Sequence, residues 1–334
     1  MIRVGFIGVG GMGRYQAKSF AQVKGCAVVA GADIADEALA KFSAEHPQAA
    51  LYSDYRELLA GPNLDAVVIA VPTGLHKKLA EAALRAKIPV LLEKPMARTV
   101  AECHSLIETE RKTGTLLMIA HCRRYDPHWC AWGRAVKSGR LGAPILWRHV
   151  TAGIGPGRWF MDDKLGGGPL FDGAVHNYDF ANWLFGDPVS VLASAIKLDP
   201  KVTAIDTASA VVRYRPGHQL LVSWSWSAQG CNLHDIIGPK GFIQFGTGGV
   251  KVSEAARRKH SYCCFTDAKG KQSLIRSRPA EQMYIRQARH FLDCIRGEAK
   301  CQTPGTESIK AIAVAEAIQK GGERWVKWQS SGQK

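Results

Sequence analysis

Two groups of residues have the types and spacing to move a proton. Lys94 closes the apolar run Val90-Leu-Leu-Glu93-Lys94-Pro95. A lysine at the carboxyl end of a buried strand, partly stripped of water, has its pKa pushed down toward the range useful for proton handling. Asp172, His176 and Asp179 follow at spacings of four and three, which places them on one stripe of a helix. A neutral imidazole can take the proton of an alcohol, and a carboxylate can orient that ring and stabilise its charged form. Gly166-Gly167-Gly168 just before them lets the backbone come close to a ligand. The plainer alternatives are a solvated lysine on a surface turn, an N-capping Asp172 and a structurally satisfied His176.

The elements that must position these groups begin at the first residue. A short apolar strand, Ile2 to Ile7, runs into Gly8-Val9-Gly10-Gly11-Met12-Gly13, and a helical pattern follows. In G-x-G-x-x-G after a strand, Gly8 permits the tight turn, Gly10 lets a pyrophosphate approach, and Gly13 lets helix and strand pack closely. Gly11 and Met12 then open a helix whose free N–H groups and positive dipole end hold phosphates. The second strand, Cys26 to Ala32, ends at Asp33. A carboxylate there accepts hydrogen bonds from the adenosine ribose hydroxyls and repels a 2′-phosphate. Ile34 to Glu37 supply no Arg or Lys to welcome that phosphate, so NAD is favoured, with NADP use left open.

Further candidates lie at strand ends. Pro72, Thr73 and His76 occupy the turn after the third long strand, where Thr73 and the helix start could meet the ribose or nicotinamide. Glu93 and Lys94 sit on the same ligand side of the sheet. Arg124 and Tyr125, leaving the last strand, could line the cleft, and an arginine there could hold a hydroxylated or anionic substrate. Arg158 and Trp159 are weaker candidates of the same kind.

Composition narrows the classes. The chain has 334 residues, 46% hydrophobic and 22% charged, enough for two domains with sizeable cores. No apolar run reaches membrane-spanning length, and the amino terminus reads as a core strand rather than a leader segment. The nine cysteines show no C-x-x-C pair, so free thiols in a reducing cytoplasm are expected and no metal site is. Net charge is +15 and uneven: residues 1–120 carry 14 Lys and Arg against 12 Asp and Glu, and residues 121–334 carry 30 against 17. An anionic substrate would be focused by such a field, and a generally basic solvated surface is the alternative. Nucleic acid is not expected, because the longest basic run is Arg257-Arg258-Lys259 and no recognition motif is present.

Periodicity predicts strands at 2–7, 26–32, 65–71, 90–92 and 116–120 alternating with helices at 12–23, 36–45, 76–87 and 99–113. That is a doubly wound parallel sheet with its ligand at the carboxyl ends of the strands. Thr99-Val-Ala-Glu102 reads as a capping box. After about residue 125, a helix from Pro127 is followed mainly by strands, at 144–151, 189–196, 207–214, 219–227 and 241–245. Helices at 283–296 and 306–320 return to the body. The domains expected are 1–123, binding dinucleotide, and 124–334, binding substrate and carrying oligomerisation, with the C-terminal helices able to pack back on the first.

Taken together, Gly8-x-Gly10-x-x-Gly13, Asp33, the Pro72–His76 turn, Glu93-Lys94-Pro95, Arg124-Tyr125-x-Pro127 and Gly166-Gly167-Gly168 leading to Asp172-x-x-x-His176 resemble the Gfo/Idh/MocA oxidoreductases over nearly the whole chain. The resemblance implies an α/β protein: an N-terminal Rossmann domain plus a C-terminal α/β domain with a large, mostly antiparallel open sheet. That sheet is commonly used to build a homodimer or homotetramer. It implies Lys94, Asp172 and His176 as the catalytic group, with the formal base either His176 or Lys94, and allows a cis Lys94–Pro95 bond. It also implies hydride transfer between nicotinamide and a ring secondary alcohol of a sugar or cyclitol. The alternatives are a 3-dehydrogenase of UDP-linked amino sugars and a non-catalytic dinucleotide sensor. Gln16 stands where many relatives carry His.

Overall fold

The computed structural model describes residues 1–61, 63–230, 232–277 and 283–329. The chain divides into two compact units, Met1–Cys122 with Gln282–Ile309 and Arg123–Glu281 with Lys310–Lys334.

In the first unit, β1 (Ile2–Ile7), α1 (Gly11–Phe20), β2 (Cys26–Ala32), α2 (Asp36–Glu45), β3 (Ala50–Tyr52), α3 (Tyr55–Ala60), β4 (Ala66–Ile69), α4 (His76–Arg85), β5 (Val90–Leu92), α5 (Val100–Thr113) and β6 (Leu117–Ile119) alternate. All strand pairs are parallel, in the order β3-β2-β1-β4-β5-β6. Chain order reverses between β1 and β4, and that switch point leaves a crevice at the carboxyl ends of these strands. Continuous apolarity reflects burial on both sheet faces: all four residues of β4 are fully buried. The expected cap forms at α5, where Thr99 Oγ1 accepts the Glu102 N–H at 3.1 Å. The return bond from the Glu102 carboxylate goes to the residue before the N-cap, at the Arg98 N–H, 3.0 Å away. The short β3 and α3 have no counterpart in the periodicity.

The second unit holds α6 (Pro127–Lys137), β7 (Leu146–Ala152), α7 (Val175–Phe185), β8 (Pro188–Ile196), β9 (Thr207–Tyr214), β10 (Gln219–Ser225), β11 (Leu233–Gly238), β12 (Gly241–Phe245), α8 (Glu254–Lys259), β13 (Ser261–Asp267) and β14 (Gln272–Ser277). After it come α9 (Met283–Ile295), α10 (Gly305–Lys320) and β15 (Gly322–Trp325). Its nine strands run β14-β13-β12-β11-β7-β10-β9-β8-β15, antiparallel throughout except for β7 with β10. Along β10, Leu220 and Val222 are buried on one face. On the other face the Ser223 hydroxyl bonds Ser209 at 2.9 Å, and Ser225 bonds Thr207 at 2.8 Å. That hydroxyl face also carries the cross-strand apolar row Leu192, Val211 and Leu221, with Leu192 50% exposed.

α9 belongs to the first unit, where its Phe291 meets Phe20 of α1 at 6.3 Å between ring centres and its Tyr284 meets Tyr15 edge-on at 4.9 Å. The unit boundary falls inside α10. No helix among the described residues is long and apolar enough to cross a membrane.

Candidate functional site

The glycine turn after β1 is built as its sequence requires. Gly8 has φ +83°, and a Cβ there would lie 2.4 Å from the Ala70 carbonyl oxygen. A Cβ on Gly13 would lie 1.9 Å from the Gly8 carbonyl oxygen, so any larger residue forces α1 off β1. At Gly10 and Gly11 a Cβ would meet nothing within 4 Å, which leaves a cradle of open space over the start of α1. No side chain caps α1, whereas Asp54, Thr99 and Asp126 cap α3, α5 and α6. Its first-turn N–H groups, Met12 among them, are thus left for an anion.

Asp33 stands at the end of β2 beside this turn. Its Oδ2 accepts the Val9 N–H at 2.9 Å and its Oδ1 accepts the Ala35 N–H at 3.0 Å. A carboxylate has about four acceptor positions, so Asp33 can fix the glycine turn and still receive ribose hydroxyls. Thr73 is 2% exposed and its Oγ1 has no hydrogen-bond partner among the described residues, a polar atom that a ligand hydroxyl would satisfy. These features fit a dinucleotide: an open anion cradle, an acidic ribose acceptor and an orphan hydroxyl at the next strand end.

Two turns on this side of the sheet are tied together. His76 is 1% exposed. Its Nδ1 lies 2.7 Å from the Pro95 carbonyl oxygen and its Nε2 3.0 Å from that of Val71. The ring links the Val71–Thr73 turn, including Pro72, to the Lys94–Pro95 turn, a bracing geometry that sequence alone did not suggest. The Lys94–Pro95 bond is cis. Glu93 is 6% exposed. One of its carboxylate oxygens accepts Gln16 Nε2 at 2.6 Å, and the other accepts the Lys94 N–H at 3.2 Å. Gln16, noted in the sequence as a departure from the family but given no role there, is thus the partner of Glu93. The signal was there: Gly13, Gln16, Ala17 and Phe20 share the buried face of α1, and an amide on that face needs a partner.

In the second unit Asp172 and His176 arise differently from the expected single stripe. Pro169–Gly173 is a π-helical turn, with the Ala174 N–H donating to the Pro169 carbonyl at 2.7 Å, and α7 begins only at Val175. Asp172 is therefore not one regular helical turn before His176. Gly167 and Gly168 precede the turn at φ +84° and +72°, and a Cβ on Gly168 would lie 2.5 Å from the Ile205 carbonyl oxygen. Asp172 is buried and His176 is half-buried. Gly173 fits against the Trp224 and Trp226 rings, at 2.7 and 3.1 Å from its notional Cβ.

Asp179 does not extend the set. Its carboxylate takes a two-pronged ion pair from Arg124, Nε to Oδ2 at 2.8 Å and Nη2 to Oδ1 at 2.6 Å, with the two side chains 5% and 2% exposed. The guanidinium expected to hold an anionic substrate is thus engaged by a buried carboxylate, and Tyr125 beside it is also buried. Trp159 stacks on Phe160 with ring centres 3.8 Å apart. The Arg158 side chain lies outside the described residues. Among the described residues no cluster of His, Cys, Asp and Glu could hold a metal ion.

The Trp224 ring leads from this turn into an aromatic core. His149 of β7 stacks on Trp224 at 5.7 Å, and its Nδ1 lies 2.8 Å from that of His234 on β11. Trp132, Trp147 and Phe245 surround His234. Burial, and secondarily the nearby Arg123 charge, hold His149 far below the ordinary imidazole pKa. His234 is lowered by burial first, then by His149, Arg123 and His128. Unfolded, each ring takes a proton near pH 6.5, so below that pH the unfolded chain binds more protons than the folded one. Stability is expected to be flat above about pH 6.5 and to fall below it, by at most about 1.4 kcal/mol per pH unit for each histidine. Urea unfolding of the wild type from pH 7 to about pH 5 checks this against the His149→Phe/His234→Phe variant, in which the slope should flatten.

Residues 2–121 match the family model described as an oxidoreductase family with an NAD-binding Rossmann fold, and residues 131–244 match the GFO/IDH/MocA C-terminal domain. The chain belongs to the Gfo/Idh/MocA oxidoreductase family. As a Gfo/Idh/MocA protein it carries an NAD-binding Rossmann domain joined to a large, mostly antiparallel sheet. It is 27% identical over 222 residues to myo-inositol 2-dehydrogenase of Thermotoga maritima, covering 65% of this chain and 66% of the relative. Its fold matches a levoglucosan dehydrogenase solved with NADH and L-sorbose, at TM-score 0.85 and 21% identity over 98% of this chain and 99% of the other. It likewise matches the WlbA dehydrogenase of Bordetella pertussis solved with NADH and UDP-GlcNAcA, at TM-score 0.78 and 24% identity, covering 96% and 95%.

Proposed function

We propose that this Gfo/Idh/MocA oxidoreductase is an NAD-dependent dehydrogenase of a ring secondary alcohol in a sugar or cyclitol. What supports the reading is that a chain with an open NAD cradle after β1 also carries residue types that handle protons, Lys94 after β5 in the first unit and Asp172 and His176 on the glycine-lined π turn and α7 in the second. A dinucleotide sensor has no need of that set, which argues against the non-catalytic alternative. Gly8 to Gly13 and Asp33 hold the dinucleotide, Thr73 and Glu93 border its nicotinamide end, and His76 braces the turns. Bound NAD supplies the hydride acceptor.

His176 takes the hydroxyl proton of the substrate. Lys94 polarises the same oxygen, and Asp172 orients the pair. Fixed positive and hydrogen-bonding groups around an oxygen that becomes alkoxide-like account for most of the acceleration, because they need no reorganisation when charge develops. Trp159 and the rings near Gly173 offer apolar faces to the C–H side of a sugar ring. The hydroxyl-lined outer face of the nine-stranded sheet, with Leu192, Val211 and Leu221, is the surface through which copies of the chain would associate.

An NADH-absorbance screen against inositols, free sugars, sugar phosphates and UDP-sugars tests the reading. Turnover of free sugars or inositols is expected. A preference for UDP-sugars would instead favour the nucleotide-sugar alternative, which the basic excess in residues 121–334 supports. No turnover across the panel would contradict both. In the same assay NADP is expected to serve at least about tenfold less well than NAD, because the Asp33 carboxylate meets the 2′-phosphate. Asp33→Ser should narrow that ratio while weakening NAD binding, since Asp33 also holds the Val9 N–H.

A further inference from the structure

The first unit contains a thiol cluster on α9 and the segment that follows it. Cys294 lies in the last turn of α9, and Cys301 follows on the segment that returns toward α10. Both are half-buried thiols, and the Cys294 side chain hydrogen-bonds that of Cys301. His290, one turn earlier on α9, places its Nε2 3.5 Å from Cys294 Sγ, and the same nitrogen accepts the Gln302 N–H at 3.2 Å. A ring nitrogen that accepts a backbone N–H carries no proton of its own. His290 Nε2 is therefore unprotonated and shared as an acceptor between the Gln302 N–H and the Cys294 thiol, and burial keeps the ring neutral. A thiol beside a base and within reach of a second thiol has the parts of a redox-active dithiol: nucleophile, base and resolving thiol. Burial, and secondarily Asp293, raise the pKa of Cys294, and burial pushes that of Cys26, near Arg296, up to about 11, so Cys294 depends on the adjacent His290 to lose its proton.

We infer that Cys294 and Cys301 form a reversible intramolecular disulfide on exposure to a disulfide oxidant, with Cys294 as the attacking thiol and His290 as its base. In the first step His290 Nε2 takes the Cys294 proton, and the thiolate attacks one sulfur of the oxidant. The oxidant's S–S bond breaks, and its other half leaves as a thiol with that proton. In the second step the Cys301 sulfur attacks Cys294 Sγ in the mixed disulfide, and the remaining half leaves as a second thiol, taking the Cys301 proton. Two protein thiols are oxidised and one small disulfide is reduced to two thiols. The new bond closes residues 294–301 against a segment already held to the parallel sheet: the Ile119 N–H donates to the Thr303 carbonyl at 2.9 Å, and Pro304 bridges Met118. Linkage therefore tightens the β6 edge of the first unit.

The test is oxidation of the full chain by 2-hydroxyethyl disulfide, followed by intact mass and peptide mapping under non-reducing conditions. The expected product is a 294–301 cross-link with the loss of two hydrogens, reversed by dithiothreitol. Tm should rise by several degrees, as expected when a short loop is closed without strain. Cys301→Ser should stop at a mixed disulfide on Cys294, and Cys294→Ser should form no cross-link. His290→Ala should slow the reaction at neutral pH by tenfold or more and recover near the wild-type rate at alkaline pH, a pattern that simple loosening of the segment would not give. Pairing of either cysteine with Cys26 instead, an adduct on Cys294 that Cys301 never displaces, or equal rates with and without His290 would overturn the inference.

Discussion

Replacing Lys94 or His176 by alanine is expected to lower kcat by about 10²–10⁴-fold with the substrate identified by the polyol screen. NAD affinity should stay within a few-fold of wild type, because the dinucleotide is held chiefly by the Gly8–Gly13 cradle and Asp33. The chemistry explains the split. In the proposed mechanism both side chains act on an oxygen that becomes more negative as hydride leaves its carbon, so their contribution would appear in the transition state and little in the bound ground state. Asp172→Asn should be milder in KM than in kcat, since an amide still accepts a hydrogen bond but no longer stabilises a charged imidazole. Steady-state kinetics with separate NAD titration by intrinsic fluorescence reads both effects. Wild-type turnover in either alanine variant would remove the corresponding residue from the mechanism.

Asp179→Ala is expected to be the most destabilising single change among the candidate-site residues, by about 3–5 kcal/mol. It leaves the Arg124 guanidinium, 5% exposed, without the carboxylate that holds two of its nitrogens. For a unit of this size that corresponds to a fall in Tm of roughly 10 °C. Replacing both partners with apolar residues of similar volume, Arg124→Met with Asp179→Leu, should restore most of the loss, because no unpaired charge is then buried. Thermal unfolding of the two variants measures the difference. Equal stability of Asp179→Ala and wild type would show that water reaches Arg124 and that the pair is not buried in solution.

The first unit was largely legible from sequence because its signals are local. A buried parallel strand reads as an unbroken apolar run, and the turn after β1 accepts only glycine at Gly8 and Gly13; both facts are written in adjacent residues. The nine-stranded sheet was less legible. β11 interleaves His234 and Asp235, whose partners His149 and Arg148 lie on β7, far away in sequence. β13 has Cys263 and Cys264 adjacent and both buried, which breaks the alternation expected of a half-buried strand. β15 is exposed along its whole length at the sheet edge. Within the candidate site, the types of Asp172 and His176 pointed to proton chemistry, but their spacing suggested one α-helical stripe, and nothing local signals the π turn that carries Asp172. Asp179 fitted the same spacing, yet its charge is satisfied by Arg124 across 55 residues, a pairing that only folding creates.

The central claim is that Lys94 and His176 act as one unit on one substrate oxygen, although they belong to different compact units of the chain. A double-mutant cycle on kcat/KM tests it most directly, using Lys94→Ala, His176→Ala and the double variant. Groups that share one transition-state task are strongly non-additive, so the double variant should be about as slow as the slower single one. Losses that simply multiply would contradict the account, since they would mean that the two side chains contribute independently.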